Sequence, residues 1–233
     1  FGTIIDKNDT KAFLRSGEKT SDVDFTNEAL TQDLLNFGLL RLKREVKNAC
    51  FLAGHGEYRL DSSEPEGLKQ WKDRLARENI QTQEIVFDPE PQVPQTCDVL
   101  VIAGPHTNFT TQENDAVQTY LKGGGDALIL VENIIVTTPE IPLTAEQKDL
   151  NPSLNAILKS WGLRVGSDIV VDVSSHISGD PGTPATRNYM KHSALIKDLD
   201  YTFYVRPRSM STLADRRKDI KLAPFVLSAS KKS

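Results

Sequence analysis

The sequence predicts an α/β fold: a doubly wound, mostly parallel, flavodoxin-like sheet with helices on both faces and a C-terminal β-rich extension. Three observations carry this expectation. Short apolar runs, "NACFLA" (48–53), "CDVLVIAG" (97–104) and "DALILVE" (126–132), alternate with segments of helical period. Connections of that length imply right-handed crossovers between parallel strands. The runs are almost continuously apolar, as expected of strands covered on both sides.

Taken in order, residues 27–44 form the first expected helix, with two adjacent stripes, Leu30/Leu34/Phe37 and Leu35/Leu39/Leu42. That arc is wider than one sheet contact requires. Two explanations stand side by side: packing between the core and the C-terminal segment, or a partner interface through Leu35, Leu39 and Leu42. After the strand at 48–53, Ser63 and Glu66 have capping-box spacing and open an expected helix at 63–78, with Leu68, Trp71 and Leu75 on one face. "QTQEIVF" (81–87) reads as a strand. Thr110 and Glu113 repeat the capping-box spacing, and their helix stops at Gly123–Gly125. A buried strand at 126–132 follows. Pro152 and Gly162 bracket a further helix, and "DIVVDV" (168–173) reads as another strand. From residue 176 on, Gly, Pro, Ser and Thr thicken into a long loop, with late strands at 201–207 and 221–228. The expected organisation is an N-terminal strand and amphipathic helix (1–46), an α/β core (47–175) and a C-terminal extension packed on it (176–233).

Composition narrows the function. The chain has 233 residues, 38% hydrophobic and 26% charged, with a net charge of −4. This balance describes an ordinary globular protein and offers no electrostatic case for nucleic acid. No apolar run approaches the ~20 residues of a membrane span. The chain begins at Phe1 without a visible signal peptide, so any membrane anchor is expected to lie outside it. Cys50 and Cys97 form neither a disulfide framework nor a metal spacing, and are expected to be small buried thiols.

In an open parallel sheet, ligands bind beyond the carboxyl ends of the strands. The polar residues there are Gly54-His55-Gly56-Glu57, Gly104-Pro105-His106, Glu132-Asn133 and Ser174-Ser175-His176. On one rim, His55, Glu57, His106 and Glu132 would converge as a candidate ligand site. A nucleophile elbow is not present, since the Gly-x-Gly encloses a histidine. "GHGEYR" fails the dinucleotide fingerprint at Arg59, and no Gly-Lys-Ser/Thr run exists. The reading therefore includes no catalytic residue, no cofactor and no metal.

Several segments, "CFLAGHGEY", "DVLVIAGPHTNFT", "YLKGGGDALILVEN", "LNAILKSWGLRVGSDIVVD" and "YMKHSAL", follow in the order and spacing of one bacterial family. The chain resembles the auxiliary component of an uncharacterised ABC-type transport system, similar to the GldG-type proteins associated with gliding motility. The resemblance spans most of residues 25–230. It implies a class I glutamine amidotransferase-like sheet without the catalytic cysteine. It also implies an extracytoplasmic, periplasmic-side domain, anchored by helices absent from this chain, whose partners are the membrane subunits of the transporter. The family usually ends the Gly-Gly strand in Asp-Pro, where this chain has Glu132-Asn133. Three functions remain to be separated. The first is a non-catalytic accessory domain binding a ligand or partner at the rim. The second is a cell-envelope hydrolase using His55, Glu57 and His106, and the third is a purely structural oligomerisation module, with a homodimer as one possible assembly.

Overall fold

The computed structural model describes residues 3–7, 10–133, 144–190, 199–216, 218–224 and 226–228. Two compact units divide the chain. The first comprises Phe1–Gly54, Tyr58–Ile102 and Leu121–Leu128; the second comprises His55–Glu57, Ala103–Tyr120 and Ile129–Ser233.

The N-terminal segment forms more than the one strand expected of it. β1 (Thr3–Lys7), β2 (Lys11–Ser16) and β3 (Lys19–Asp24) make a three-stranded antiparallel sheet, with Gly17 at φ +62° in the turn joining β2 to β3. Helix α1 (Gln32–Lys43) packs on this sheet. It starts five residues later than its apolar pattern suggested, because Asp24 Oδ1 holds the Thr26 N–H in a local turn and Thr31 supplies the cap, accepting from the Leu34 N–H. Leu34 and Leu42 bury against Ala12, Leu14 and Val23, with Leu30, Leu35 and Leu39 partly buried around them. Packing on the N-terminal sheet thus engages Leu30 and Leu34 of one stripe and Leu35, Leu39 and Leu42 of the other.

Four strands form the second sheet, in the order β5-β4-β6-β7. They are β4 (Lys47–Ala53), β5 (Ile80–Val86), β6 (Val99–Ala103) and β7 (Asp126–Leu130). β4 runs parallel to both β5 and β6. The result is a mixed α/β molecule with a four-stranded parallel sheet. Burial follows position in the sheet. Central β4 and β6 bury Cys50, Phe51, Leu52, Leu100, Val101 and Ile102 almost completely. β7, expected to be buried, is an edge strand and leaves Leu128 and Leu130 40% and 44% exposed. Among the described residues no strand pairs with its outer edge.

Helix α2 (Lys69–Arg77) begins six residues later than the Ser63/Glu66 spacing implied. Residues 59–69 form turns instead: Leu68 N–H donates to Arg59 O, Gly67 N–H to Glu64 O, and Lys69 N–H to Ser62 O. A side chain at Gly67 would collide with the Ser62 carbonyl, which ties that turn to glycine. Trp71 meets Phe51 edge to face, ring centres 5.3 Å apart.

The two cysteines are not free thiols. Cys50 and Cys97 form a disulfide, with Cα atoms 5.6 Å apart, between β4 and the residues leading into β6. Strand spacing in a sheet brings such residues within bridging range, and sequence separation conceals it.

Helix α3 (Thr111–Lys122) follows β6, then come the short helices α4 (Ala145–Asp149) and α5 (Asn155–Leu158), the latter continued by a 3-10 turn, Lys159–Trp161. Gln118 of α3 is buried: its Nε2 donates to Ser160 Oγ at 2.7 Å, and its Oε1 accepts from Trp161 Nε1 at 3.2 Å. Gly162, at φ +80°, ends the turn as expected.

Beyond it the regular structure thins. β8 (Leu163–Val165) pairs antiparallel with β11 (Met210–Thr212), and β9 (Ala185–Thr186) with β10 (Thr202–Phe203). Residues 168–173 do not form the expected strand. Val170 and Asp172 donate their N–H groups to Pro207 O and Pro181 O, carbonyls of irregular segments. The Asp172 carboxylate then turns the chain by accepting from the N–H groups of Ser174 and Ser175. The strand expected at 201–207 is confined to β10. Over 221–228, the described residues provide a single bridge, Tyr189 to Val226. "YMKHSAL" lies largely outside the described residues. Among the described residues, no helix is long and apolar enough to cross a membrane.

Candidate functional site

The strand order decides where polar loops gather. From β4 the chain crosses to β5 on one side, then back past β4 to β6 on the other, so the order reverses beside β4. The loops leaving β4 and β6 carry Gly54–Glu57 and Gly104–His106.

His55 is the centre of this cluster, and its side chain is 10% exposed. Its Nε2 lies 3.1 Å from Glu113 Oε1, and its Nδ1 lies 3.3 Å from Glu57 Oε1. The second contact is close enough for ion pairing but angled so that neither atom makes a hydrogen bond. The ring also rests on Phe109, with centres 4.3 Å apart. Glu57 is the most enclosed member, 2% exposed, and its Oε2 accepts the His55 backbone N–H at 2.7 Å.

Glu113 has two tasks. Its Oε2 accepts the Thr110 N–H at 2.7 Å, and its own N–H donates to Thr110 Oγ1 at 3.3 Å, completing the capping box read from the sequence. Its Oε1 holds His55. Burial pushes the pKa of this carboxyl up, but the hydrogen bonds from Thr110 and the contact with the His55 ring outweigh that and leave it below the ordinary glutamate value.

The backbone closes the rest of the cluster. His55 O accepts the N–H groups of His106 and Thr107 at 2.8 and 3.0 Å. Gly56, at φ +82°, lies so close to His106 that a Cβ there would stand 3.0 Å from the histidine Cβ. His106 O accepts the Asn151 N–H at 3.3 Å, and Asn151 Nδ2 donates to Asn133 O at 2.8 Å. Arg208 adds Nη1 to Asn151 O at 3.0 Å and Nε to Gly166 O at 2.7 Å. Gly104, at φ +64°, donates its N–H to Leu130 O, and Pro105 is fully buried.

Of the residues expected on the rim, His55, Glu57 and His106 therefore come together, and Asn133 joins them through Asn151. Glu132 caps its neighbour, its Oε1 accepting the Asn133 N–H at 2.8 Å. Leu35, Leu39 and Leu42 belong to the α1 packing described above. Glu113, Asn151 and Arg208 were not expected as site members. Glu113 was visible as a cap but not as a histidine partner. Asn151 holds φ +54°, a conformation asparagine tolerates, and its place before Pro152 is the only local hint. Among the described residues no cluster of His, Cys, Asp and Glu has the arrangement of a metal centre.

These features define an α/β domain whose switch-point loops are locked by a histidine held between two carboxylates. The chain belongs to the family of auxiliary components described as the ABC-type uncharacterized transport system, which it matches over residues 47–198. No curated protein matches the chain. Among solved structures it is similar to one described as "mmIFT52 N-terminal domain", with a TM-score of 0.53 and 20% identity, over 72% of this chain and 70% of that one. That likeness concerns the fold alone.

Proposed function

We propose that this chain is a non-catalytic, extracytoplasmic accessory domain of a membrane ABC-type transporter of the GldG-like, gliding-motility kind, and that it meets a membrane subunit of the transporter at the carboxyl-end rim of its sheet. The observation that carries this reading is the state of His55. Both ring nitrogens face carboxylates, those of buried Glu57 and partly buried Glu113, and the carbonyl accepts two N–H groups, so the residue serves the shape of the loop. What the rim offers outward is Gly54, Gly56, Thr107 and Asn108, which are exposed. A rigid loop with exposed backbone suits recognition by shape.

The Cys50–Cys97 disulfide supports the periplasmic side, since such bridges persist in oxidising compartments. The order β5-β4-β6-β7 supports a flavodoxin-like, amidotransferase-like layout. Anchoring helices, on this reading, belong to a longer protein. A cell-envelope hydrolase would need His55 to offer an open ring nitrogen to substrate, and the two carboxylates argue against that.

The test is site-specific photo-crosslinking in membranes containing the full-length protein. A crosslinker at Thr107 is expected to yield an adduct with a transporter membrane subunit, and one at exposed Glu64 is not. A folded protein with no adduct at Thr107 would remove the rim from consideration.

A further inference from the structure

The antiparallel sheet ends on β3, and among the described residues no strand pairs with its outer side. The register shows which backbone groups point there. Phe25 N–H donates to Thr10 O, and β2 pairs Lys11 with Asp24, Ala12 with Val23 and Phe13 with Asp22. Bonded and non-bonded pairs alternate in an antiparallel ladder, so Val23 and Ser21 bond inward to β2. Thr20, Asp22 and Asp24 turn their N–H and C=O groups outward. The Asp22 carbonyl agrees: it accepts Arg41 Nη2 of α1 at 2.5 Å.

Two cavities follow this edge. One, of about 350 Å³, is lined by Asp22–Asp24 together with Leu34, Phe37 and Arg77. The other, of about 520 Å³, is lined by Lys19–Asp22 together with Arg44. They share Asp22 and Arg41, so every residue of β3 lines one or the other. Six strand residues span roughly 20 Å, room for an extended segment of similar length.

We propose that this groove receives an extended polypeptide segment of a partner, added as a fourth strand, in which basic and apolar residues alternate. The charges on β3 select that chemistry. Asp22 and Asp24 stand on the face opposite buried Val23, and Lys11 of β2 already approaches them at 3.4 and 3.6 Å. A basic residue on an added strand would meet the same carboxylates from the other side. The alternate residues would face α1 at Leu34, Phe37 and Arg41, and the added strand would take over the Asp22 carbonyl that Arg41 now holds. A second copy of β3 fits badly. Two-fold antiparallel pairing through the outward groups sets Asp22 against Asp22 or Asp24, or Glu18 against one of them, and like charges directly opposite are destabilising. Strand addition of this kind takes its affinity from main-chain hydrogen bonds and its specificity from alternate side chains.

The test uses the 233-residue chain and a short fluorescein-labelled peptide alternating lysine and valine, read by fluorescence anisotropy. Saturable binding is expected. It should weaken at least about tenfold when glutamate replaces lysine, or when the peptide backbone is N-methylated on the bonding edge. Thr20→Pro removes one outward donor without touching the β2 ladder, and should abolish binding at an unchanged melting temperature. No binding, or equal binding by the N-methylated peptide or the Thr20→Pro protein, overturns the proposal. So does a dimer in sedimentation that Thr20→Pro dissociates, which would assign the edge to a second copy. Should Thr20→Pro fail to fold, the N-methylated peptide decides alone.

Discussion

The Nε2 atom of His55 lies 3.1 Å from Oε1 of Glu113, joining residues 58 positions apart. That contact ties the loop after β4 to the first turn of α3. Because Glu113 also caps α3 through Thr110, one carboxylate ties together the helix start, the loop and the ring. Glu57 holds the other side from a nearly closed position.

Removal of the imidazole would leave Glu57 Oε1 enclosed with no charge partner facing it, while the residue 55 backbone N–H still holds Oε2. His55→Ala is expected to cost about 2 kcal/mol, the scale of leaving enclosed polar groups unsatisfied. Urea unfolding at neutral pH measures this. A loss under about 1 kcal/mol would mean the lock is decorative.

Acid should loosen the same contact. Glu113 sits below its ordinary value of 4.5 in the folded protein, so between the two values the unfolded chain binds the extra proton. The stability it contributes is complete above 4.5 and is lost as pH falls through the lower, folded value. Glu113→Gln is expected to flatten the pH dependence of stability in that acid range. Parallel melting curves for the two proteins across it would contradict the assignment.

The disulfide closes a separation of 47 residues. Reduction, or Cys50→Ser with Cys97→Ser, should remove about 4 kcal/mol on the loop-entropy scale. Thiol titration of the unfolded, unreduced chain is expected to find no free cysteine. Two reactive thiols would refute the bridge.

Gly38 of α1 carries no side chain because β2 and β3 leave it no room. A Cβ there would meet Val23 Cγ2 and Leu14 Cδ1 well inside contact distance. Gly38→Ala is accordingly expected to destabilise by about 1–3 kcal/mol despite its better helix propensity. A gain in melting temperature would show that the helix can slide on the sheet.

The Thr110 cap offers a local control. Thr110→Ala removes one bond to the Glu113 N–H and should cost about 1 kcal/mol. Thermal unfolding should show it less affected than His55→Ala.

How much of this was legible in the chain follows from the range of each interaction. Hydrophobic runs and capping pairs act over a few residues, so β4, β5, β6, α3 and the Thr110–Glu113 box were readable in one dimension. So was the meeting of the loops after β4 and β6, because the ends of parallel strands place their loops together. Relations set by neighbours in space were not readable. β7 has the hydropathy of a buried strand, yet it lies at the sheet edge with Leu128 and Leu130 exposed. Ser63 and Glu66 have the spacing of a cap, yet the turns at 59–69 use the backbone groups a helix would need. Residues 168–173 look like a strand, but their N–H groups find carbonyls in distant loops. Cys50 and Cys97 became partners only when the sheet order set β4 beside β6. The sequence by itself determined which segments were apolar, where helix α3 was capped, and which loops were polar. Tertiary structure decided which of those polar groups were buried as partners, because burial and pairing depend on what the rest of the chain brings alongside.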